Sequence, residues 1–226
     1  VKLGLLPGAG GTQRTPRLGG VKAALDLMTS GNPISASAAL ELGLIDKLVD
    51  GDLGHAAIAW ARELVEQGAS PRKTSEQAVP AFDAAIFDGY RATLAKRARG
   101  QLAPQKIVDC VEAAARMSFE EGLAVERKLF FECMESPQSA ALRHLFFAER
   151  QAAKLDGLPK DTPQRSIDSV GIICGGTMGG GSAMSFANAG IPVTLIEISD
   201  DALARCLSIV EKNYAASVKR GKLSED

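Results

Sequence analysis

The chain has 226 residues, of which 46% are hydrophobic and 23% are charged, and its net charge is −1. This length suits one large or two small domains, and the near-neutral charge excludes a general attraction to nucleic acids or acidic membranes. Aromatic residues make up 5% of the chain, which argues against a base-stacking surface. No apolar run approaches the roughly 18–20 residues that span a bilayer, so we expect no membrane span.

Cysteine and histidine usage narrows the class of protein. The cysteines are scattered, without the C-x-x-C spacing of metal and redox motifs, and they are Cys110, Cys133, Cys174 and Cys206. We expect reduced thiols in an intracellular protein, three of them packed on helices. The two histidines, His55 and His144, are too few for a histidine-rich metal site and are predicted to be surface or packed residues on helices.

The first segment, 1–6, is short and apolar and predicts the entry into a strand. A glycine-rich loop, Pro7-Gly8-Ala9-Gly10-Gly11, follows this segment. Thr12 is predicted to cap the next helix, whose start is restricted by Pro16. Apolar residues at helical spacing then predict a helix from Val21 to Ser30.

Residues 35–67 contain two predicted helices and one predicted strand. Ser35 is typical of an N-cap and predicts a helix from Ala36 to Leu42. The run Leu44–Val49 is short and rich enough in β-branched residues to predict a strand. Leu53 to Gln67 has the apolar stripe of an amphipathic helix.

The middle of the chain is predicted to be helical between two linkers. A polar stretch from Ala69 to Gln77 predicts the first linker, and residues 155–167 predict the second. Ser118 and Glu121 have the spacing of a capping box, and Pro137 is typical of a first helical turn. The predicted helical tracts between the linkers are 80–99, 103–117, 118–136 and 137–155.

A β-α-β unit is predicted from Val170 to Glu197. An apolar run leads into the turn Cys174-Gly175-Gly176-Thr177-Met178-Gly179, and a helical run and a second apolar run follow. Glycines let the backbone approach a pyrophosphate, and the N–H groups of a helix start bind its charge. Glu197 lies where such units place a carboxylate that binds an adenosine ribose hydroxyl. We therefore predict a dinucleotide site.

The turn departs from the pattern G-x-G-x-x-G at its first glycine, which is Cys174. We expect Cys174 in an extended conformation at the end of the strand, with Gly175 taking the unusual dihedral angles. A left-handed Cys174 would instead carry strain of about 1–3 kcal/mol. The alternative for the whole turn is a glycine-rich loop that only packs a helix on a sheet.

The last predicted element is a helix from Ala202 to about Lys219, capped by Asp200. The basic run that ends it, Lys219-Arg220-Gly221-Lys222, is interpreted as a solvated helix end. A complete dinucleotide domain needs two β-α-β halves. We therefore expect this chain, which starts at Val1 without methionine, to be a piece of a longer polypeptide.

Two parts of the chain resemble known families. Residues 3–14, which contain the run LPGAGGTQR, together with residues 27–36 and 39–46, resemble the enoyl-CoA hydratase (crotonase) family. Residues 170–197, with residues 213–223, resemble the start of the 3-hydroxyacyl-CoA dehydrogenases. In this order, and joined by a helical segment, they resemble the multifunctional hydratase–dehydrogenases of fatty acid β-oxidation.

The resemblance implies an α/β, helix-rich fold class in three parts. Residues 1–68 would be the C-terminal part of a crotonase-like (enoyl-CoA hydratase/isomerase) domain, and residues 69–165 a helical linker region. Residues 166–226 would be the N-terminal part of an NAD-binding domain, with the first β-α-β unit of a Rossmann fold. The implied function is hydration of 2-enoyl-CoA to 3-hydroxyacyl-CoA and oxidation of that product with NAD to 3-oxoacyl-CoA.

The resemblance also implies where the catalytic groups lie. Hydration of a conjugated thioester requires a stabilised enolate and groups that share the proton transfers. The family's two glutamates and its oxyanion-hole glycines match positions upstream of Val1, which leaves Gly8, whose backbone the resemblance places beside the catalytic water. The histidine–glutamate pair of the dehydrogenase falls beyond Asp226. We therefore expect the isolated chain to be inactive.

The NAD-contacting positions of the dehydrogenase family are matched by Gly176, Thr177, Met178, Gly179 and Glu197. A carboxylate at the last of these positions favours NAD over NADP, because it repels a 2′-phosphate. Neither half of the resemblance implies a metal.

The implied partners are acyl-CoA thioesters, a thiolase or a second copy of the chain, and no nucleic acid. Arg14 and Arg17 are candidates for contacting CoA phosphates, but salt bridges on the helix surface are the favoured interpretation. The pairs Phe130-Phe131 and Phe146-Phe147 are interpreted as core residues.

Two other functions stay open from the sequence. One is a non-catalytic helical scaffold whose glycine turn only packs, and NAD binding would separate it from the main hypothesis. The other is a different NAD-dependent oxidoreductase, and the crotonase-like opening of the chain argues against it.

Overall fold

The structure is a computed structural model that describes residues 1–152, 154–155, 157–159, 161–163 and 165–224. The chain divides into two compact units, Val1–Leu155 and Asp156–Asp226. The predicted helix at 137–155 includes residue 153, and the predicted linker at 155–167 includes residues 156, 160 and 164; these positions, with residues 225 and 226, lie outside the described residues.

The first unit is built of helices. They are α1 (Gly11–Ser30), α2 (Ala36–Glu41), α3 (Leu53–Glu66), α4 (Ala85–Arg97), α5 (Leu102–Arg116), α6 (Phe119–Met134) and α7 (Pro137–Ala152), with a 3-10 turn at Thr74–Glu76. The helical predictions for this unit are confirmed to within a few residues at most ends. The largest difference is at α4, which begins at Ala85 rather than near Pro80.

Several predicted helix starts are also confirmed. The Ser35 hydroxyl accepts a hydrogen bond from the Ala38 N–H at 3.1 Å and so caps α2. Ser118 and Glu121 form the predicted capping box at the start of α6. Pro137 is the first residue of α7, where the missing N–H of proline costs nothing.

Two strand predictions, at 1–6 and at 44–49, are wrong, because the described residues 1–152 contain no strand. The N–H of Gly4, a residue with φ 67°, donates to the Val1 carbonyl at 2.8 Å and closes a turn instead. The N–H of Leu44 donates back to the Ala39 carbonyl at 2.9 Å, beyond the end of α2. In both places the backbone groups are used locally rather than in a ladder.

Helix α1 begins before the predicted cap and bends in its middle. Its N-cap is Gly10, with φ 79°, so the prediction that Thr12 caps the helix is wrong. Thr12 is instead fully buried in the first turn. Gly20, with φ 81° and ψ 165°, kinks α1 between the two segments that the sequence predicted separately.

The core of the first unit lies between α1, α4, α5 and α6. Its innermost side chains include Leu25, Phe87, Ile107 and Val111, each at most 1% exposed. Burying one side chain of this size contributes about 1.5–3 kcal/mol. The packing of α1 against α5 and α6 therefore fixes the loop that precedes α1.

The second unit is the predicted β-α-β unit with one further helix. Its elements are β1 (Val170–Ile173), α8 (Thr177–Asn188), β2 (Val193–Ile196) and α9 (Asp200–Lys219). The two strands are parallel, with Val170 opposite Val193 and Ile173 opposite Ile196. This confirms the predicted unit, because a parallel pair requires the crossover that α8 provides.

The cap of α9 differs from the prediction. The hydroxyl of Ser199 accepts a hydrogen bond from the Ala202 N–H at 3.3 Å. Asp200 is the first helical residue, so the prediction that it caps α9 is wrong. Its carboxylate lies in the first turn, where the positive end of the helix dipole stabilises a negative charge.

The structure shows how far the cysteine, histidine and phenylalanine side chains are buried. The cysteines buried on helices, as predicted, are Cys110, Cys133 and Cys206. His55 and His144 are exposed on α3 and α7. Phe131 is 41% and Phe147 is 67% exposed, so the interpretation of these two rings as core is wrong.

Candidate functional site

The turn after β1 brings the predicted nucleotide residues together. The N–H of Cys174 donates to the Ile196 carbonyl at 2.8 Å, which extends the ladder one residue beyond the end of β1. The chain then reverses at Cys174 itself, which has φ 72°. The prediction of an extended Cys174 with Gly175 in the unusual conformation is therefore wrong.

The physical reason lies in what surrounds Gly175. This residue is buried, and a Cβ added to it would lie 2.7 Å from the Cys206 sulfur and 3.1 Å from a Leu195 methyl carbon. Gly175 is thus used for close packing, and the left-handed conformation falls on the residue before it. A non-glycine residue held there carries strain of about 1–3 kcal/mol.

The start of α8 is shaped to accept an anion. A Cβ on Gly179 would lie 1.9 Å from the Cys174 carbonyl oxygen, so only glycine lets the helix begin so close to the turn. Around Gly176, in the described structure, a Cβ would meet nothing within 4 Å. Gly176 is the N-cap and brings no side chain to the first N–H groups of α8. These groups are available to a phosphate.

Glu197 lies directly after β2 and faces the same turn. Its carboxylate accepts hydrogen bonds from the Gly175 N–H at 2.5 Å and from the Ile198 N–H at 3.0 Å. The predicted glycines and the predicted acid therefore meet at one edge of the sheet. Met178, also predicted, is 82% exposed at the start of α8.

A second candidate site is the cleft at the glycine-rich loop before α1. A Cβ added to Gly8 would lie 2.4 Å from the Phe130 ring, so this ring packs directly on the Gly8 backbone. The cleft has a volume of about 430 Å³. Its lining residues are Gly8, Ala9, Gly10, Arg14, Leu123, Glu126, Arg127, Phe130 and Phe131.

Sequence reasoning missed Glu126, which joins the cleft to α1. Its side chain is 2% exposed, and its carboxylate accepts from the Gly10 N–H at 2.7 Å and the Thr12 N–H at 3.0 Å. The Thr12 hydroxyl donates to the same carboxylate at 2.5 Å. The sequence did contain a signal that Glu126 is buried, because this residue falls on the apolar stripe of α6 with Leu129 and Cys133.

The two arginines of α1 are held by carbonyls and an aromatic ring. Arg14 donates to the Ala9 carbonyl at 2.8 Å, and Arg17 donates to the Gln13 carbonyl at 2.7 Å. Both guanidinium groups lie over the Phe119 ring, at 5.4 and 5.1 Å from its centre. Within the described residues neither forms a salt bridge, so that interpretation is wrong. Burial lowers the pKa of Arg17.

Behind this loop lies a buried polar layer. The Gln13 amide donates to the Thr12 hydroxyl at 3.0 Å and to the Cys110 carbonyl at 3.1 Å. Burial, followed by the negative charge of Glu126, raises the pKa of the Cys110 thiol to about 12. Cys110 is therefore a neutral packing group near pH 7 rather than a nucleophile.

None of the helices in the described ranges is long and apolar enough to cross a membrane. The described His, Cys, Asp and Glu side chains form no group of three or more that could hold a metal ion.

Comparison with known proteins assigns a family to each candidate site. Residues 1–101 match the family described as enoyl-CoA hydratase/isomerase. Residues 169–226 match the family described as 3-hydroxyacyl-CoA dehydrogenase, NAD binding domain. The Gly8 loop lies in the first match, and the glycine turn and Glu197 lie in the second.

Relatives that resemble the chain along its length carry both segments. It is 41% identical to the peroxisomal bifunctional enzyme of Cavia porcellus over 96% of the chain and 31% of the relative. It is 39% identical to the enzyme of the same name from Homo sapiens, over 98% of the chain and 32% of the relative. It is 36% identical to the fatty acid oxidation complex subunit alpha of Shewanella loihica, over 97% of the chain and 32% of the relative. The chain thus spans about a third of the length of the curated relatives it matches.

Proposed function

We propose that this chain, which belongs to the multifunctional enoyl-CoA hydratase/3-hydroxyacyl-CoA dehydrogenase family, is part of a polypeptide that performs both reactions. The first adds water to 2-enoyl-CoA, and the second oxidises the resulting 3-hydroxyacyl-CoA to 3-oxoacyl-CoA with NAD. The observation that carries this proposal is the presence of both family segments, in this order, in one chain.

The second unit supports the assignment of NAD. The open space at Gly176 and the N–H groups at the start of α8 fit a pyrophosphate. Residues Gly176, Thr177, Met178 and Gly179 would hold the phosphates, and Glu197 would bind the adenosine ribose. When bound, NAD supplies the acceptor for the hydride that leaves the 3-hydroxyl carbon. The charge of Glu197 favours NAD, because a 2′-phosphate would be repelled.

The first unit supports the assignment of an acyl-CoA substrate. The cleft beside Gly8 combines the aromatic ring of Phe130 with the guanidinium groups of Arg14 and Arg127. An acyl thioester linked to CoA phosphates presents the matching combination of apolar and anionic groups. We place the backbone of Gly8 beside the attacking water. In this proposal the two glutamates that would exchange protons with water and substrate match family positions outside these 226 residues.

We retain the division into a crotonase-like part (1–68), a helical linker region (69–165) and an NAD-binding part (166–226) as a proposal. The match of residues 169–226 to the NAD-binding family supports the start of the last part. Association with a thiolase or with a second copy of the chain is also proposed. The free cysteines and the names of the relatives support an intracellular location.

A coupled assay tests the proposed function. The polypeptide that contains this chain is incubated with crotonyl-CoA, first without and then with NAD. We expect loss of the enoyl absorbance without NAD, and formation of NADH only when NAD is added. Formation of NADH from 3-hydroxybutyryl-CoA but no hydration of crotonyl-CoA would reject the hydratase half. Hydration with no NADH from either substrate would reject the dehydrogenase half.

A further inference from the structure

Helix α6 lies between the two family matches but contributes to the cleft at Gly8. Its Glu126 places a buried carboxylate against the start of α1, at Gly10, which lies 116 residues earlier in the chain. This contact is made by a charged group that is 2% exposed. Removing such a group from water is costly unless it is fully hydrogen-bonded. Helix packing alone therefore does not account for this contact.

The start of α1 requires an acceptor from elsewhere in the chain. Its N-cap, Gly10, has no side chain that could bind the first N–H groups of the helix. The carboxylate of Glu126 accepts from the Gly10 and Thr12 N–H groups and from the Thr12 hydroxyl. It also places negative charge at the positive end of the helix dipole.

The same face of α6 also contacts Gly8, the residue whose backbone we place beside the reacting water. Phe130 follows Glu126 by one helical turn, and its ring packs on Gly8. Two side chains one turn apart on α6 therefore contact this loop: the Phe130 ring packs on Gly8, and the Glu126 carboxylate accepts from the Gly10 N–H. The position of the Gly8 backbone therefore depends on α6 as well as on its own loop, where Arg14 donates to the Ala9 carbonyl.

We propose that Glu126 is a positioning residue of the hydratase reaction, which holds the Gly8 backbone in place through the start of α1. This inference rests on the proposed function, because it requires the cleft to be the hydratase site. The substrate is bound by other residues of the cleft. Loss of the carboxylate should therefore change the rate of the chemical step more than substrate binding.

The test is Glu126→Gln in the polypeptide that contains this chain. Glutamine keeps the size of the side chain but replaces one acceptor oxygen by an N–H₂ donor, which faces the donors of residues 10 and 12. We expect hydratase kcat to fall about tenfold or more, since misplacing reacting groups by about 1 Å can cost about 100-fold. We expect KM to stay within about twofold.

The matched control is Glu120→Gln, an exposed glutamate on the same helix. It should leave hydratase kcat unchanged. Both variants are assayed at a temperature at which circular dichroism shows them folded, so that a smaller folded fraction is not read as a slower reaction. Faster amide exchange at Gly10 and Thr12 in Glu126→Gln alone would report the loosened loop directly.

A second pair of variants decides the matter if Glu126→Gln does not fold. Thr12→Val removes the hydroxyl that donates to the carboxylate, and Thr12→Ser keeps it. We expect kcat to fall about threefold or more in Thr12→Val, with KM unchanged. In Thr12→Ser we expect kcat to stay at the wild-type value. Equal kcat in the wild type and Thr12→Val would then overturn the inference.

The outcomes separate this inference from the proposed function. A wild-type protein that does not hydrate crotonyl-CoA would overturn both. An active wild type with an unchanged kcat in folded Glu126→Gln would overturn the positioning role alone. A rise in KM with unchanged kcat would also overturn it, because Glu126 would then act in substrate binding.

Discussion

The sulfur of Cys206 lies 2.7 Å from the position that a Cβ on Gly175 would occupy. Cys206 is on α9 and is 3% exposed, so the last helix of the second unit packs directly beneath the glycine turn. This contact accounts for the left-handed Cys174, because Gly175 is pressed against α9 and the reversal falls one residue earlier. The shape of the turn is thus set by a helix that starts 25 residues later in the chain, at Asp200.

Gly179 should be essential for the nucleotide site. In Gly179→Ala the new methyl group would meet the Cys174 carbonyl oxygen at 1.9 Å and push α8 away from the turn. Such overpacking costs about 1–3 kcal/mol, and we expect NAD affinity to fall about tenfold or more. Calorimetric titration with NAD measures the change.

The matched control for that variant is Gly181→Ala. Gly181 lies in the same helix, and in the described structure a Cβ there would meet nothing within 4 Å. We expect unchanged NAD affinity and slightly higher helix stability. Equal losses in the two variants would show that the effect is not specific to the contact with Cys174.

Cys174→Gly should stabilise the second unit. It relieves strain of about 1–3 kcal/mol at φ 72°, and glycine's greater freedom in the unfolded chain offsets about 0.5–1 kcal/mol. We expect a net gain of about 1 kcal/mol, measured by hydrogen exchange of the β1 and β2 amides. Cys174→Ala keeps the Cβ and should give no gain; an equal gain there would assign the effect to loss of the thiol.

Glu197 should decide between NAD and NADP. Glu197→Ala removes a charged acceptor, which we expect to weaken NAD by about 1–3 kcal/mol. NADP should be weakened less, because the repulsion of its 2′-phosphate is removed as well. Glu197→Gln, which keeps an acceptor without the charge, should retain more NAD affinity than the alanine variant. Parallel losses for both cofactors in titration experiments would contradict the assignment to the ribose.

The Cys110 thiol should make the first unit sensitive to alkaline pH. Its pKa rises from 9.0 to about 12 on folding, mainly through burial. The folded state therefore holds this proton more tightly, and the stability it contributes is present below pH 9.0 and is lost as pH rises towards about 12. We expect denaturation curves of Cys110→Ala to show a weaker decline over this interval. Identical declines in wild type and variant would contradict the prediction.

Local patterns predicted those parts of the fold that are determined locally. The β-α-β unit and the capped helix α6 follow from apolar spacing, glycines and the pair Ser118 and Glu121. The strand predicted at 44–49 failed because a strand needs a partner, and no such partner lies among the described residues of its unit.

The parts that could not be predicted depend on contacts distant in sequence. Whether Cys174 or Gly175 takes the left-handed conformation depends on Cys206, which no rule for turns includes. The role of Glu126 depends on a helix start more than 100 residues away, as the separation of 116 residues shows. Its place on the apolar face of α6 signalled burial but did not identify the partner.

The bond between Glu126 and the Gly10 N–H also has a consequence during protein synthesis. Ribosomes add about 5–20 residues per second, so a separation of 116 residues delays the carboxylate by roughly 6–23 s after Gly10 is made. During that interval the N–H groups at the start of α1 can donate only to nearby residues and to water. The loop at Gly8 therefore reaches its final shape only after residue 126 has been made, and a nascent chain that is released before that residue cannot complete it.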